Sequence, residues 1–282
     1  MINTKVGLIG GGNMARAIGG GLLRGGMHAT DLMIAEPVAD RCDRLRKELY
    51  GAMVTENNNL VARSADILLF AVKPQILKPV CEALVEEVQA QRPLIMSIAA
   101  GPKIDDIDQW LGGGLSVVRV MPNQPALIDQ GISALFANDR TSAARKDQAE
   151  KIMTAVGHVV WIDAESKMDA VTAVSGTGPS YFYLLIDIMI ESAKKFGIDA
   201  ETARTLAVET ARGATALAAA ETESMSKLIE RVRSPGGTTT AAFEFLDRMD
   251  ARGIFATAID EAEKRAAELA EVAATAKQTD SS

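Results

Sequence analysis

A glycine-rich turn at residues 5–18, between a short apolar run and a helix-forming segment, constrains the fold of this chain more than any other feature. Gly10, Gly12 and Ala15 match the small-residue form of the dinucleotide fingerprint G-x-G-x-x-G/A. In this pattern Gly10 permits the tight turn, Gly12 lets the backbone approach a pyrophosphate, and Ala15 keeps the helix close to the sheet. The turn therefore predicts a strand–turn–helix unit that holds a pyrophosphate at the helix N-terminus.

Further apolar runs follow at regular intervals and alternate with helix-forming stretches. They lie at residues 32–35, 67–72, 94–99, 117–121, 132–136 and 159–162. Near-continuous apolar strands separated by amphipathic helices are typical of a parallel sheet covered on both faces. The chain is therefore predicted to have an α/β fold whose N-terminal domain is of the Rossmann type.

An acidic residue follows the second predicted strand. Glu36 could accept hydrogen bonds from both ribose hydroxyls of NAD(H), and its charge would repel the extra phosphate of NADP(H). Arg41 and Arg44 lie just downstream and could instead bind that phosphate. The residues themselves leave the choice between NADPH and NADH open.

The ends of three predicted strands are rich in proline, glycine and small residues. In a parallel sheet, ligands bind outside the carboxyl ends of the strands. These segments are therefore predicted to form the floor of the cofactor cleft. They are Ala71-Val72-Lys73-Pro74, Ala99-Ala100-Gly101 and Met121-Pro122-Asn123-Gln124-Pro125.

The chain of 282 residues is long enough for two domains, and its character changes after Asp163. No convincing strand follows, so we expect a dinucleotide-binding domain at residues 1–164 and an all-α domain at residues 165–282. Within residues 181–190 only Asp187 is charged. A helix that is apolar nearly all round must be buried nearly all round, which predicts a second subunit packed against it.

The composition and net charge of the chain limit the kinds of partner that it can bind. A net charge of -7 argues against binding to nucleic acid or an anionic membrane, and no apolar run is long enough to cross a bilayer. Cys42 and Cys81 lie outside any metal or redox spacing, and His28 and His158 have no ligand spacing either. Without a basic leader, the sequence predicts a cytoplasmic protein that binds no metal.

The segment Ser234-Pro235-Gly236-Gly237-Thr238-Thr239 precedes a predicted helix in the C-terminal half. Glycines beside hydroxyl residues at a helix start expose backbone N–H groups, which suit a carboxylate, and Thr239 adds a hydroxyl beside them. A flexible turn with threonine as helix cap explains the same residues. The segment 175–179 is a second loop of this kind.

No nucleophile elbow and no phosphate-binding P-loop occur in the sequence. The chemistry must therefore come mainly from the cofactor, with the protein supplying position and polar contacts. Hydride transfer to a C=N bond fits this description, because a protonated cyclic imine accepts hydride without a strong protein acid. One hydroxyl at the imine nitrogen would suffice.

Six motifs together resemble the pyrroline-5-carboxylate reductase family, in order and over nearly the whole chain. They are Gly10-Gly11-Gly12-Asn13-Met14-Ala15, Ala71-Val72-Lys73-Pro74, Ser97-Ile98-Ala99-Ala100-Gly101, Arg119-Val120-Met121-Pro122-Asn123, Ser175-Gly176-Thr177-Gly178-Pro179-Ser180-Tyr181 and Ser234-Pro235-Gly236-Gly237-Thr238-Thr239. The resemblance implies a Rossmann domain followed by a helical dimerisation domain, with dimers that often assemble further. It also implies reduction of 1-pyrroline-5-carboxylate to L-proline by NADPH or NADH.

The resemblance also implies roles for individual residues. Thr239 would hydrogen-bond the ring nitrogen of the substrate, while Ser234, Gly236, Gly237 and Thr238 would hold its carboxylate. The glycine-rich segment with Gly10, Gly12, Asn13, Met14 and Ala15 would bind the pyrophosphate, and Asn58 would contact the adenosine side. The cofactor cleft would be lined by Ala71, Val72, Lys73, Pro74, Ala99 and Asn123.

The chain departs from the family pattern at Gln124, Asp169 and Arg233, where threonine, histidine and a small residue are frequent. Glu36 is unusual for a strictly NADPH-using member, so usable activity with NADH is expected.

Three other functions remain open at this point. They are an NAD(P)H-dependent reductase of another cyclic imine, a protein related to 3-hydroxyacid dehydrogenases, and a non-catalytic NAD(P)H-binding regulator. The second is disfavoured because no lysine follows the loop at 175–179 before Lys194.

Overall fold

The computed structural model describes residues 4–275 of the chain. Its first part is an eight-stranded sheet with the strand order β3-β2-β1-β4-β5-β6-β7-β8. The strands are β1 Val6–Ile9, β2 Leu32–Ala35, β3 Met53–Thr55, β4 Ile67–Phe70, β5 Leu94–Ser97, β6 Val117–Met121, β7 Gly131–Ala137 and β8 Gly157–Trp161. The chain winds outward in both directions from β1 and β4, which is the plan of a Rossmann-type sheet and confirms the predicted fold class.

One pair of strands departs from the predicted parallel arrangement. β7 runs antiparallel to β6, whereas β8 is parallel to β7 and all other neighbours are parallel. Between β6 and β7 lies only the 3₁₀ turn Gln124–Ile128. A parallel return needs a crossover of a dozen or more residues, so this short connection forces the strand to reverse. The edge strand β3 was not predicted, because only three residues form it and Met53 is exposed.

Helices cover both faces of the sheet. They are α1 Asn13–Arg24, α2 Ala39–Glu48, α3 Asn58–Ala62, α4 Pro74–Glu82, α5 Val85–Gln91, α6 Ile104–Trp110 and α7 Ala143–Thr154. One core contains residues of α1 and α7, such as Ile18 and Ile152, and the other contains residues of α4 and α6, such as Leu77 and Ile107. Successive residues of the strands point into opposite cores, and each buried leucine or isoleucine stabilises the fold by ~1.5–3 kcal/mol.

The chain after residue 164 forms helices and no strand within its described part. The helices are α8 Met168–Val171, a π-helix Thr172–Gly176, α9 Gly178–Lys195, α10 Ala200–Ala220, α11 Met225–Val232, α12 Thr238–Arg248 and α13 Ala251–Thr275. Helix α9 has proline in its first turn, where a missing N–H costs nothing.

The contacts divide the chain into two compact units. One unit contains the chain up to Gly176 and again from Ala262 onward, and the other is Thr177–Glu261. The domain boundary between residues 164 and 165 stays a prediction. Within the described residues, no helix has both the length and the apolar character that crossing a membrane requires.

Helix α9 exposes large apolar side chains in the single chain. Phe182, Tyr183, Leu184, Leu185 and Ile188 are each between 51% and 54% exposed. A contiguous apolar surface of this kind marks an interaction site. The expectation that a second subunit covers this helix therefore rests on exposure as well as on sequence.

Candidate active site

The glycine-rich turn after β1 requires glycine at its first position. Gly10 has φ +101°, and a Cβ there would lie 2.8 Å from the carbonyl oxygen of Ala71. The Gly10 N–H donates to the carbonyl oxygen of Ala35 over 2.8 Å. The turn is thereby packed between the ends of β2 and β4, and no side chain fits at this position.

Gly12 is small for a different reason. It precedes α1 with φ -69°, a value open to any residue, and a Cβ there would meet no atom within 4 Å. The N–H groups of the first turn of α1 have no partner inside the helix, and no side chain caps them. A backbone open to solvent beside unpaired N–H groups fits a pyrophosphate, so the residues present suit the dinucleotide that the sequence predicts.

A cavity of about 710 Å³ lies at this turn. Of the residues predicted to bind the cofactor, Gly10, Gly12, Asn13, Glu36, Asn58, Ala71, Val72 and Lys73 line it. Met14, Ala15, Pro74, Ala99 and Asn123 are not among its lining residues. Ala15 is buried in the core instead, as expected for the small residue that lets α1 approach the sheet. Arg41 and Arg44 also line the cavity.

Sequence reasoning missed several residues of the cavity wall. Arg16, Val38, Ile76 and Val80 line it as well. Ile76 and Val80 are four residues apart on α4, and this spacing was the available signal, because such residues share one helix face. Arg16 is held by Glu48 through two hydrogen bonds of 2.6 and 2.7 Å.

Glu36 is only 2% exposed, although it lines the cavity. One carboxylate oxygen accepts the Gly11 N–H over 2.8 Å, and the other accepts the Val38 N–H over 3.0 Å. Arg41 lies 3.7 Å away. The acid at the end of β2 therefore also holds the glycine-rich turn, a contact that the sequence did not reveal.

Asn123 makes hydrogen bonds within its own unit. Its amide group donates to the carbonyl oxygen of Ser175 over 3.1 Å, and its carbonyl group accepts the N–H of Ile132 over 2.9 Å. Beside it, a Cβ on Gly176 would lie 2.6 Å from the Met121 side chain. Asn123 therefore fixes the last turn of the π-helix against the end of β6.

A buried ion cluster ties the next segment to the sheet. Arg119, 4% exposed, lies 3.1 Å from Glu165 and 3.7 Å from Asp169. Glu165 also accepts the N–H of Ile104 at the start of α6 over 2.9 Å. The departure from the family pattern at Asp169 thus places a second carboxylate beside a buried guanidinium.

The loop before α12 is a tight turn in the second unit. Gly237 donates its N–H to the carbonyl oxygen of Ser234 over 3.0 Å, and Gly236 has φ +70°. Proline at the second position and glycine with positive φ at the third are typical of a type II turn. A Cβ on Gly237 would lie 2.5 Å from the Ser234 hydroxyl, so a side chain there would disturb the turn.

Two neighbouring threonines behave differently in this loop. The Thr240 hydroxyl donates to the carbonyl oxygen of Ser234 over 2.6 Å, whereas the Thr239 hydroxyl bonds to no described residue. No side chain caps α12, so its first N–H groups are also unpaired. Arg233 lies 3.5 Å from Asp247 and faces the Phe243 ring.

The predicted residues thus gather in two groups, each within its own unit. Among the residues that the structure describes, no three histidine, cysteine or acidic side chains converge as metal ligands would.

Two known families match the chain over separate stretches. Residues 165–269 match the pyrroline-5-carboxylate reductase dimerisation family. Residues 5–101 match a family described as NADP oxidoreductase, coenzyme F420-dependent.

Individual proteins match over nearly the full length. The chain is 40% identical to the pyrroline-5-carboxylate reductase of Pseudomonas aeruginosa over 271 residues, which cover 96% of this chain and 98% of that protein. A pyrroline-5-carboxylate reductase structure from Coxiella burnetii has a TM-score of 0.88 and 36% identity, covering 94% of this chain and 98% of that one. The Plasmodium falciparum pyrroline carboxylate reductase structure with NADP bound has a TM-score of 0.86 and 26% identity, covering 96% and 99%.

The Rossmann-type sheet, the open glycine-rich turn and the helical dimerisation region define an NAD(P)H-dependent oxidoreductase that forms homodimers. Within this class, the chain belongs to the pyrroline-5-carboxylate reductase family.

Proposed function

We propose that the chain reduces 1-pyrroline-5-carboxylate to L-proline with NADPH or NADH. The observation that carries this proposal is the loop before α12, where unpaired helix N–H groups lie beside the unbonded Thr239 hydroxyl. Such a loop offers one site for a carboxylate and one for a ring nitrogen, which are the two polar groups of this substrate. Membership of the family supports the same function.

The first unit would hold the cofactor. The N–H groups at the start of α1 would bind its pyrophosphate, because they are unpaired and Gly12 leaves the approach open. When bound, NAD(P)H supplies the hydride. The residues assigned to it are Gly10, Gly12, Asn13, Met14, Ala15, Glu36, Asn58, Ala71, Val72, Lys73, Pro74, Ala99 and Asn123.

The assigned substrate-binding residues are Ser234, Gly236, Gly237, Thr238 and Thr239. The N–H of Gly237 is already used within the turn. The N–H groups of Thr238 and Thr239 are therefore better suited to the carboxylate, while Gly236 and Gly237 shape the turn that presents them.

Thr239 is the proposed catalytic residue. The protonated imine carries an N–H, which the Thr239 hydroxyl oxygen would accept, so the C=N carbon is held in one orientation. The nitrogen becomes a neutral secondary amine when the carbon gains hydride, and no proton has to be transferred from the protein in that step. The hydroxyl then stays in contact with the nitrogen of the product.

We also propose how the subunits assemble, which partners are absent and where the protein is located. Dimers would assemble through the helical region and could build a higher homo-oligomer. The net charge of -7 supports the absence of nucleic-acid and membrane partners. Cys42 and Cys81 are both buried and unpaired, which supports a reducing compartment such as the cytoplasm.

An assay of NAD(P)H oxidation tests the proposed function. Adding pyrroline-5-carboxylate should oxidise the cofactor and yield proline, whereas 1-pyrroline, which lacks the carboxylate, should be reduced far more slowly. Equal rates with both imines would favour a broader cyclic-imine reductase. Cofactor binding without any oxidation would favour a non-catalytic regulator.

A further inference from the structure

The acid at the end of β2 is fixed from several sides. Both carboxylate oxygens of Glu36 accept backbone N–H groups, from Gly11 and Val38, over 2.8 and 3.0 Å. The Cys42 thiol donates to the Glu36 carbonyl oxygen over 2.9 Å. Burial raises the pKa of this thiol, which keeps the proton that it donates. Turning the carboxylate away would leave the buried N–H of Gly11 unpaired, which is costly, and would also break the partly buried bond to Val38.

Gly11 shows how closely this carboxylate is packed. A Cβ on Gly11 would lie 2.5 Å from Leu45 Cδ1 and 3.0 Å from the carboxylate oxygen of Glu36. Gly11 occupies the variable position between the two fingerprint glycines, so the fingerprint does not explain why it is glycine. Gly11, the middle glycine of the run, is required by Glu36 and Leu45.

We propose that this fixed carboxylate makes the chain select NADH over NADPH. The inference rests on the proposed function only in taking the cavity as the cofactor site. Each carboxylate oxygen can accept two hydrogen bonds and uses one for the backbone, so each can accept one more from a ribose hydroxyl. A 2′-phosphate at the same place would face a negative charge that cannot turn away.

The cations on the cavity wall oppose this selection weakly. Arg41 lies beside Glu36 and is well exposed, and Arg44 makes no ion pair with any described residue. Arg44 is therefore available to a 2′-phosphate, whereas Arg16 is held by Glu48 and Arg41 lies beside Glu36. Arg44 allows some use of NADPH. This use is only residual, because solvent screens an exposed arginine while the Glu36 carboxylate is buried.

Dissociation constants and kcat/KM for both cofactors test the proposal in Glu36→Ser and Glu36→Gln. The unmodified chain should favour NADH by at least about tenfold, and both variants should lower this ratio by about tenfold or more. Glu36→Ser should also bind NADPH more tightly than the unmodified chain, a gain that misfolding cannot produce. Arg44→Gln should weaken NADPH several-fold and leave NADH within about twofold.

Matched controls separate local charge from position. Asp40→Asn is the control for the Glu36 variants, because it removes a negative charge from an exposed position on α2 that does not line the cavity. Lys47→Gln is the control for Arg44→Gln, because it removes a positive charge from another such position. Both controls should leave the cofactor ratio unchanged. An unmodified chain that favours NADPH, or a ratio that Glu36→Ser and Glu36→Gln leave unaltered, would overturn the proposal.

Binding measured without substrate keeps this test independent of the reaction. A strong NADH preference in binding, with no reduction of pyrroline-5-carboxylate, would retain the inference and refute the proposed function.

Discussion

The two ligand turns of this protein are both glycine-rich and both precede a helix, yet they are built differently. The turn after β1 is enclosed: Gly10 packs against Ala71, and Gly11 packs against Glu36 and Leu45. The turn before α12 is exposed, and Gly236 is needed for its positive φ rather than for lack of space. Crowding by the core thus selects Gly10 and Gly11 in the first turn, although Gly10 also has a positive φ, whereas Gly236 in the second turn is selected by its backbone conformation alone.

This difference explains how each turn keeps its shape. The first turn is held by a buried carboxylate and by strands on both sides, so the core of its unit fixes it. The second turn is held by one backbone hydrogen bond and by the Thr240 hydroxyl. The second unit also exposes the apolar stretch of α9, which we expect a partner subunit to cover.

The largest effect should come from placing a charge on that apolar face. Leu185→Glu would bury one carboxylate from each subunit at a two-fold interface, at several kcal/mol each. We expect the dissociation constant of the dimer to rise ~1,000-fold or more, so that sedimentation velocity would detect monomers. Lys195→Glu, on the same helix but outside the apolar stretch, is the control. A dimer that survives Leu185→Glu would mean that another surface joins the subunits.

The exposed turn should be most sensitive at its free hydroxyl. Thr239→Val keeps the shape of the side chain but removes the group assigned to the ring nitrogen, so kcat should fall ~100-fold or more. The dissociation constant of the cofactor should not change. Steady-state kinetics together with cofactor titration test this, and equal losses in turnover and cofactor binding would contradict the assigned role.

The enclosed turn can be tested at its one open glycine. Gly12→Ala should fold normally, because its Cβ meets no protein atom within 4 Å. It should weaken cofactor binding by about tenfold or more, which is ~1.4 kcal/mol, because the added methyl group would occupy the space through which the backbone approaches the pyrophosphate. Thermal unfolding checks that the variant folds normally, and cofactor titration measures its affinity for the cofactor. A stable variant with unchanged cofactor affinity would rule out pyrophosphate binding at this turn.

The smallest effect should come from the hydrogen bond that closes the exposed turn. Thr240→Val removes the donor to the Ser234 carbonyl oxygen and should lower the free energy of unfolding by ~1 kcal/mol. Its effect on kcat should be much smaller than that of Thr239→Val, its neighbour. Denaturant unfolding and kinetics of the two variants compare them directly. A larger loss of activity in Thr240→Val than in Thr239→Val would mean that Thr240, and not Thr239, contacts the substrate.

Much of the site was predictable because its signals are local. The glycine spacing located the turn from β1 into α1, and the structure agrees. Asn123 illustrates the limit. Its position in the chain suggested a cofactor contact. In the structure its side-chain amide forms hydrogen bonds with the backbone of Ser175 and Ile132, and no local pattern encodes those partners. The assigned roles of the site residues themselves stay predictions.

The sequence by itself determined the alternation of strands and helices, the all-helical second half, and the apolar stretch of α9. These features follow from the periodicity and local conformation of neighbouring residues. Only the tertiary structure decided the reversed direction of β7, the bond between Glu36 and Gly11, and the pairing of Arg119 with Glu165. The bonds of Glu36 with Gly11 and of Arg119 with Glu165 join residues far apart in the chain, so chain folding and the need to pair buried polar groups fix them. β7 reverses because its connection to β6 is too short for a parallel return.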